Sequence, residues 1–384
     1  MATSLSSKPS ETHAVRESIR LIGDQFAIQG RFMDCAENDS GHINTTYLVT
    51  YENPDGSHQR YILQRINANV FKTPLAVMRN VESVTRHINR KVLRVKKDLG
   101  GQTLNLYPSR DGSSWVTGPN GGIWRCYNCI EGCRTYDVIE NCQQAYQAAH
   151  AFGSFQDLVC DLPAKELEET IPDFHHTPKR LQRLLEVAAA DPMGLFDSVR
   201  EEFSFIRDRE PITRVLIDLM ENGSIPMRIT HNDTKINNVM IDADTDVAVC
   251  VIDLDTVMPG LSLYDFGDLV RSAVSPAAED ETDLSQVNVR MPIYQSLVEG
   301  YLDAAGAFLN NHEIEHLAFS AKLIALEVGI RFLTDYLEGD VYFKISRHGH
   351  NLDRCRTQLA LVKCIEDNEK EMIACAQAAI AKRQ

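Results

Sequence analysis

The stretch that decides the fold is ITHNDTKINNVMIDADTDVAVCVIDLDTVMPG, residues 229–260. Val239 to Ile241 and Val247 to Ile252 are apolar and β-branched enough to predict two short strands, with DADTD (242–246) as the turn between them. Acids bracket both strands. Buried carboxylates need a metal, a partner or a proton. An antiparallel pair brings its open ends together, so Asn238 and Asp253 are expected side by side, with Asp233 on the adjoining loop. An asparagine carbonyl and a carboxylate are hard oxygen donors suited to Mg²⁺, and a second carboxylate nearby orients a hydroxyl nucleophile. That chemistry is phosphoryl transfer, in which positioning and charge neutralisation carry most of the catalysis. Asp242, Asp244, Asp246 and Asp253 also fall at the offsets of a calcium loop. Such a loop needs a glycine where Val247 stands, and helices where strands are read here.

Working outward, the 384-residue chain is long enough for two lobes. A formal charge of −15 argues against a nucleic-acid partner, and it requires that any anionic substrate be met by a local positive site. The polar start MATSLSSKPSETH reads as neither a signal peptide nor a membrane anchor, and no apolar run is long enough to cross a bilayer. Ten cysteines without a secretion signal suggest reduced thiols in a cytoplasm. Cys126, Cys129, Cys133 and Cys142 are read as small residues of a buried strand and its turn rather than as a metal site, since the fourth spacing is unconvincing.

Residues 1–15 are expected to be disordered. TTYLVTY (45–51), RYILQRI (60–66) and GIWRCYNCI (122–130) predict strands, the first two joined by the turn NPDGS. Val77, Val81, Val84, Ile88, Val92 and Val95 repeat at helical spacing over 75–95. Helices are predicted over 17–28, 142–159, 178–190 and 201–220, the last broken near Pro211, and then around 291–309, 312–338 and 352–381. The expected division is a lobe over 16–128 and a larger helical lobe over 129–384.

His231-Asn-Asp233-Thr-Lys235-Ile-Asn-Asn238 fits the H-x-D-x-K-x-x-N pattern of the protein-kinase-like catalytic loop. Val251-Ile-Asp253-Leu-Asp255 is similar to the metal-binding segment of the aminoglycoside phosphotransferase and choline kinase group. The longer string resembles N-acetylhexosamine 1-kinases, as do GHINTTYLV (41–49), YILQRIN (61–67), IPDFHHTPKR (171–180) and RFLTDYLEGDVYFK (331–344). The resemblance implies an α+β, bilobal protein-kinase-like fold, with a small antiparallel N-terminal nucleotide-binding lobe and a mainly helical C-terminal lobe for catalysis and acceptor binding. It implies Mg²⁺, ATP as co-substrate and a small sugar as partner, with no membrane. In this resemblance Asp233 orients the acceptor hydroxyl, Asn238 and Asp253 hold Mg²⁺, Lys235 neutralises the γ-phosphate, His231 braces the loop, and Asp255 supports the metal segment.

On the nucleotide side, Gly41, His42, Ile43, Asn44 and Thr45 would take the place of the glycine-rich phosphate cover. The usual strand lysine is missing. Gln64 and Arg65 stand there, alternation lets only one face the nucleotide, and the sequence leaves the choice open. Glu82 is a possible partner for that cation. Tyr127–Gly132 would be the hinge, with Asn128 and Ile130 at the adenine. On the acceptor side, the resemblance implies Arg331 and Tyr342 as sugar contacts, then Asp335 and His175. An Arg331–Asp335 ion pair is the structural alternative. The competing functions are a kinase of the same fold acting on another sugar, an amino alcohol or an aminoglycoside, and a nucleotide-binding protein without turnover.

Overall fold

The computed structural model describes residues 9–38, 43–95 and 103–382. The chain divides into two compact units, Met1–Gly132 and Cys133–Gln384. Gly132 ends the first unit at φ +70°, a backbone state that glycine adopts without a Cβ penalty.

The first unit opens with helix α1 (Pro9–Gly23), then β1 (Arg31–Glu37), β2 (Thr45–Glu52), β3 (His58–Arg65), α2 (Pro74–Val95), β4 (Val116–Thr117) and β5 (Ile123–Asn128). The strands form one five-stranded sheet in the order β1-β2-β3-β5-β4, and every pairing is antiparallel. Helix α1 takes in residues 9–15, which the sequence reading had assigned to a disordered tail. A proline in the first helical turn costs nothing, because its missing N–H would have no helical partner there. Ile19 and Ile22 then bury against Tyr47, Tyr51, Leu63 and Trp124 on one sheet face. Fully burying an aliphatic side chain of this size is worth about 1.5–3 kcal/mol.

The second unit begins with β6 (Cys133–Arg134), α3 (Cys142–Val159), α4 (Thr177–Ala190), α5 (Arg200–Arg207) and α6 (Val215–Glu221). Next come β7 (Arg228–Thr230), β8 (Val239–Asp242), β9 (Ala248–Val251), β10 (Met258–Gly260) and α7 (Ser262–Ala273). It closes with α8 (Met291–Ala305), α9 (Asn311–Glu315), α10 (Leu317–Glu338) and α11 (His350–Ala381). The 201–220 segment breaks between α5 and α6 at a 3₁₀ turn that begins Glu210-Pro211. Helix α10 is buried on nearly all sides, as an all-round apolar helix must be, and packs on α4, α7 and α11. Two small ladders, β6-β8-β9 and β10-β7, frame residues 231–238. Among the described residues no helix is long and apolar enough to cross a membrane.

Candidate active site

Strands β8 and β9 pair antiparallel, Val239 opposite Val251. The ladder runs one step further, where Ile252 N donates to Asn238 O at 2.9 Å. Asn238 therefore stands opposite Ile252, the residue before Asp253, at the open end of the hairpin. Asp253 has φ +60°, in the left-handed region that only a few non-glycine residues adopt. Such strain is kept where the surroundings over-determine it, and it clusters at functional sites.

The loop 231–238 is held from below by α7. Asp265 accepts from His231 N at 2.9 Å, Asn232 N at 2.7 Å and Gln156 Nε2 at 2.6 Å. Tyr301 Oη donates to Gln156 Oε1 at 2.8 Å, which extends the clamp to α8. Asp268 accepts from Thr234 N at 2.9 Å and from Arg271 Nε at 2.8 Å. Both carboxylates are almost fully buried. Burial pushes the Asp265 carboxyl above its ordinary range, against the hydrogen bonds that favour its charge. The loop is also pinned from the side. His231 Nε2 donates to Ile252 O at 2.9 Å, and Thr256 Oγ1 donates to His231 O at 2.7 Å. Gly260 is required here, because a Cβ would lie 2.2 Å from Thr230 Oγ1.

With its backbone fixed in this way, the loop presents Asp233 with 27% of its side chain exposed. Lys235 Nζ lies 3.1 Å from Asp233 Oδ1, and Asn238 Nδ2 donates to Asp233 Oδ2 at 3.2 Å. Burial works to raise the Asp233 pKa, but the Lys235 ammonium, joined by positive charge at His231 and Arg271, outweighs it and holds the carboxyl below the usual range. Asp233 raises the Lys235 pKa in return. The pair is thus an ionised carboxylate beside a charged amine. Asn238 spends its amide nitrogen on Asp233, which turns its amide oxygen the other way.

One turn of helix separates the residues that support this loop from those singled out for the acceptor. Glu327 is buried on α10. Its carboxylate lies 2.8 Å from His175 Nδ1 and accepts from Thr177 Oγ1 at 2.6 Å, while His175 Nε2 lies 3.3 Å from Asn232 O. Both nitrogens of His175 are therefore engaged, and the ring joins α10 to the loop. Arg331 lies four residues on. Its guanidinium carbon is 5.0 Å from the centre of the Phe174 ring, 5.5 Å from Phe343 and 5.9 Å from Tyr342. The Arg331–Asp335 ion pair is not formed among the described residues. Asp335 instead accepts from Tyr342 N at 2.7 Å, Phe343 N at 2.9 Å and Asn351 Nδ2 at 2.8 Å, and so shapes the segment that carries Tyr342. Tyr342 itself is 56% exposed. Arg180 adds a second guanidinium, its pKa lowered by burial and then by the nearby Arg331 charge.

In the first unit, Gly41 and His42 lie outside the described residues. Asn44 Oδ1 accepts from Asn67 N at 3.0 Å, and Ile43 O accepts from Asn67 Nδ2 at 3.0 Å. Gln64 is opposite Thr46 on β2 and Arg125 on β5, so the three side chains share one sheet face. Arg65 is opposite Thr45 and Trp124, on the other face, and it is exposed. Glu82 accepts from Arg86, one turn along α2. The Asn128 side chain holds Asn105 N (2.7 Å) and Thr103 O (3.1 Å), and Ile130 is buried. Sequence reasoning missed Asp265, Asp268, Glu327 and Arg125. The signal for the first two is the i,i+3 acid pair in SLYDFGDLVRSA, where Leu263, Phe266, Leu269 and Val270 carry helical spacing.

The fold recurs in solved structures. A microcompartment-associated aminopropanol kinase matches with TM-score 0.59 and 16% identity, covering 92% of this chain and 97% of that one. An aminoglycoside phosphotransferase from Alicyclobacillus acidocaldarius matches with TM-score 0.60 and 12% identity, covering 94% and 96%. A choline kinase from Cryptosporidium parvum matches with TM-score 0.56 and 13% identity, covering 93% and 97%. These likenesses show a two-lobed α+β kinase-like fold, the class the sequence pattern led us to expect. The model of the phosphotransferase enzyme family matches residues 34–308, well over half of the chain and inclusive of the whole clamped loop and the hairpin that follows it. The chain belongs to that phosphotransferase enzyme family.

Proposed function

We propose that the protein is an ATP- and Mg²⁺-dependent kinase that transfers the γ-phosphate to the anomeric C1 hydroxyl of an N-acetylhexosamine, N-acetylglucosamine or N-acetylgalactosamine. The observation that carries the reading is Asp233: an ionised, part-exposed carboxylate on a loop whose backbone is fixed by two buried acids. In this reading Asp233 takes the hydroxyl proton as the sugar oxygen bonds to the γ-phosphorus and the bond to the bridging oxygen breaks, releasing ADP. An anomeric hydroxyl is more acidic than an ordinary alcohol, so one carboxylate suffices. Lys235 helps to keep Asp233 charged and brings positive charge to the phosphoryl group. Asn238 and Asp253 fit Mg²⁺ by donor chemistry, an amide oxygen and a carboxylate on adjacent backbone. The ion, when bound, neutralises charge on the polyphosphate. Ile43, Asn44, Thr45 and Gln64 are assigned to the nucleotide, with Gly41 and His42 from the same motif and the Asn128 and Ile130 backbone at the base. This gives the first unit the nucleotide and the second the acceptor.

The acceptor assignment rests on Arg331. Its guanidinium stands among three rings, with a second arginine beside it. Two neighbouring guanidiniums disfavour an ammonium-bearing acceptor such as choline, and they suit the hydroxyl and carbonyl oxygens of a neutral amino sugar. Tyr342 supplies an aromatic platform. Asp335 and His175 act through what they position rather than by touching the sugar. All ten cysteines are free, which fits a reducing, cytoplasmic compartment.

The test is ADP release with Mg-ATP and a panel of N-acetylglucosamine, N-acetylgalactosamine, glucose, galactose, choline, homoserine and kanamycin. Turnover is expected with the N-acetyl sugars, with phosphate at C1 in the product and none for Asp233→Asn. Turnover confined to choline, homoserine or kanamycin would overturn the acceptor. Binding of ATP without turnover would favour the non-catalytic reading.

A further inference from the structure

The sheet of the first unit carries Thr45, Arg65 and Trp124 in one row across β2, β3 and β5, on the face that α1 covers. Helix α1 does not close that face completely. Between the helix, this row and the turn 118–122 lies a cavity of about 230 Å³. Its wall is apolar: Ile19 and Ile22 from α1, Tyr47 and Trp124 from the sheet, all buried. The centres of the two rings are 6.3 Å apart and their planes 31° from parallel. Arg65, Ser18 and Thr45 add polar groups, and no carboxylate lines the cavity among the described residues. Two glycines allow the close approach of its parts. A Cβ on Gly122 would lie 2.7 Å from Arg65 Nε, and one on Gly118 would lie 2.7 Å from Trp124 Nε1.

We infer that this cavity is a binding site for a small planar organic anion, with its ring against Tyr47 and Trp124 and its acidic group on Arg65. Three observations support it. The first is the Arg65 guanidinium, which is exposed and has no acceptor among the described residues. Other arginines of the same unit are paired: Arg20 with Glu17, Arg31 with Glu52 and Arg60 with Glu131. In a chain of formal charge −15, a cation left without an acid is a local positive site. The second is Trp124, which is 8% exposed. Its indole N–H has no acceptor among the described residues, and it is not one of the groups sealed from solvent. A mostly buried N–H of this kind is costly unless water or a ligand meets it. The third is the polar inventory. The Ser18 and Thr45 hydroxyls are unengaged among the described residues, and with Arg65 and Trp124 they give four donors around one positive charge. A planar guanidinium fork beside such donors matches a carboxylate. Ligand sites usually span about 300–1,000 Å³, so this smaller space suits a body of one or two rings. The site is on the opposite sheet face from Thr46, Gln64 and Arg125. It takes the Thr45 side chain and leaves the Thr45 backbone to the phosphates, so the inference goes beyond the kinase reading and does not depend on it.

The test uses the full chain labelled with ¹⁵N and follows its two indole N–H signals, from Trp115 and Trp124, with Trp115→Phe to assign them. The probes are 2-naphthoate, its neutral counterpart 2-naphthamide, and inorganic phosphate. The Trp124 signal is expected to move saturably with 2-naphthoate. The affinity for 2-naphthamide and for inorganic phosphate should be lower by about tenfold or more, since each lacks one half of the match. Arg65→Gln should weaken 2-naphthoate by about tenfold or more and leave 2-naphthamide within about twofold, with Arg65→Lys in between. Saturating Mg-ADP should leave the 2-naphthoate affinity within about twofold. A Trp124 signal that does not move with 2-naphthoate in the folded chain would overturn the inference and leave the cavity a packing gap. Equal affinity for the acid and the amide, or for wild type and folded Arg65→Gln, would overturn it by removing the anion from the match. Competitive displacement by Mg-ADP would overturn it by returning Arg65 to the nucleotide. None of these signals needs turnover, so they are read in the same way whether or not the chain phosphorylates a sugar.

Discussion

The hairpin β8–β9 has acids at both ends, and the two ends are different in kind. At the closed end Asp242 Oδ1 accepts from Thr245 N at 2.9 Å and from Thr245 Oγ1 at 2.8 Å, which makes a local turn. Asp246, exposed, pairs with Arg134 and accepts from Tyr136 Oη at 3.0 Å. Each of these acids serves its own neighbourhood. At the open end, Asp233 faces Lys235 and Asn238, and its loop hangs from Asp265 and Asp268 on a different element. Carboxylates of the same type in one short stretch thus belong either to a local turn or to the candidate site. What separates them is burial, and whether the backbone that carries them is held by acids from elsewhere in the chain.

The sharpest break of this comparison is Asp233→Asn. With Asp233 as the proposed general base, kcat should fall by about 10²–10⁴-fold. Calorimetric affinity for ATP should stay within a few-fold and the melting temperature near wild type, because Asp233 supports the loop little. A melting temperature that falls with the activity would make Asp233 structural. Asp265→Ala should have the opposite profile. It strands two buried backbone N–H groups and Gln156, and hydrogen bonds to charged groups are worth about 1.5–3 kcal/mol each. The buried charge it removes is itself unfavourable, so a net loss of about 2–4 kcal/mol in urea unfolding is expected, with kcat falling as the loop loosens. Unchanged stability would show that the clamp is dispensable.

Lys235→Met sharpens the same contrast through pH. Lys235 is the largest of the charges that together keep the Asp233 pKa down against burial. A depressed folded pKa adds stability above the unfolded carboxylate value of about 4, and that contribution is lost as pH falls through the folded value. With the ammonium removed, burial raises the carboxyl pKa. The acid limb of the kcat/KM profile should therefore move to higher pH, and the stability contribution above pH 4 should shrink. An acid limb that stays put would mean that another group sets it.

Much of this architecture was legible because it repeats at a period. The helix expected over 142–159 runs Cys142–Val159, and the valine stripe over 75–95 forms α2. The hairpin at 239–252, with its pairing of Val239 to Val251, followed from strand geometry alone. Strand β1 gave no such signal, since it lies at the sheet edge and is mostly exposed on both faces. Helix α7 escaped for the reverse reason. Its buried face includes Asp265, Asp268 and Arg271, which interrupt the apolar period that would mark it. The residues that hold the loop are thus the ones that hide the helix they stand on. Arg125 was invisible for a related reason: charge in a strand reads as exposure until register shows what stands opposite.

The smallest effect belongs to the closed end of the hairpin, and it tests whether the division between the ends is real. Asp246→Ala removes an exposed pairing with Arg134 and Tyr136, and exposed ion pairs contribute little. The melting temperature should shift by no more than about 2 °C. The kcat and the KM for both substrates should match wild type. The alternative is that the turn stiffens the hairpin, so that slack at 242–246 is felt at Asn238 and Asp253 along two four-residue strands. That would appear as a raised Mg²⁺ requirement in Asp246→Ala, with the melting temperature unmoved. A Mg²⁺ activation curve superimposable on wild type would show that the ladder isolates its two ends, leaving the acids of the turn with local work only.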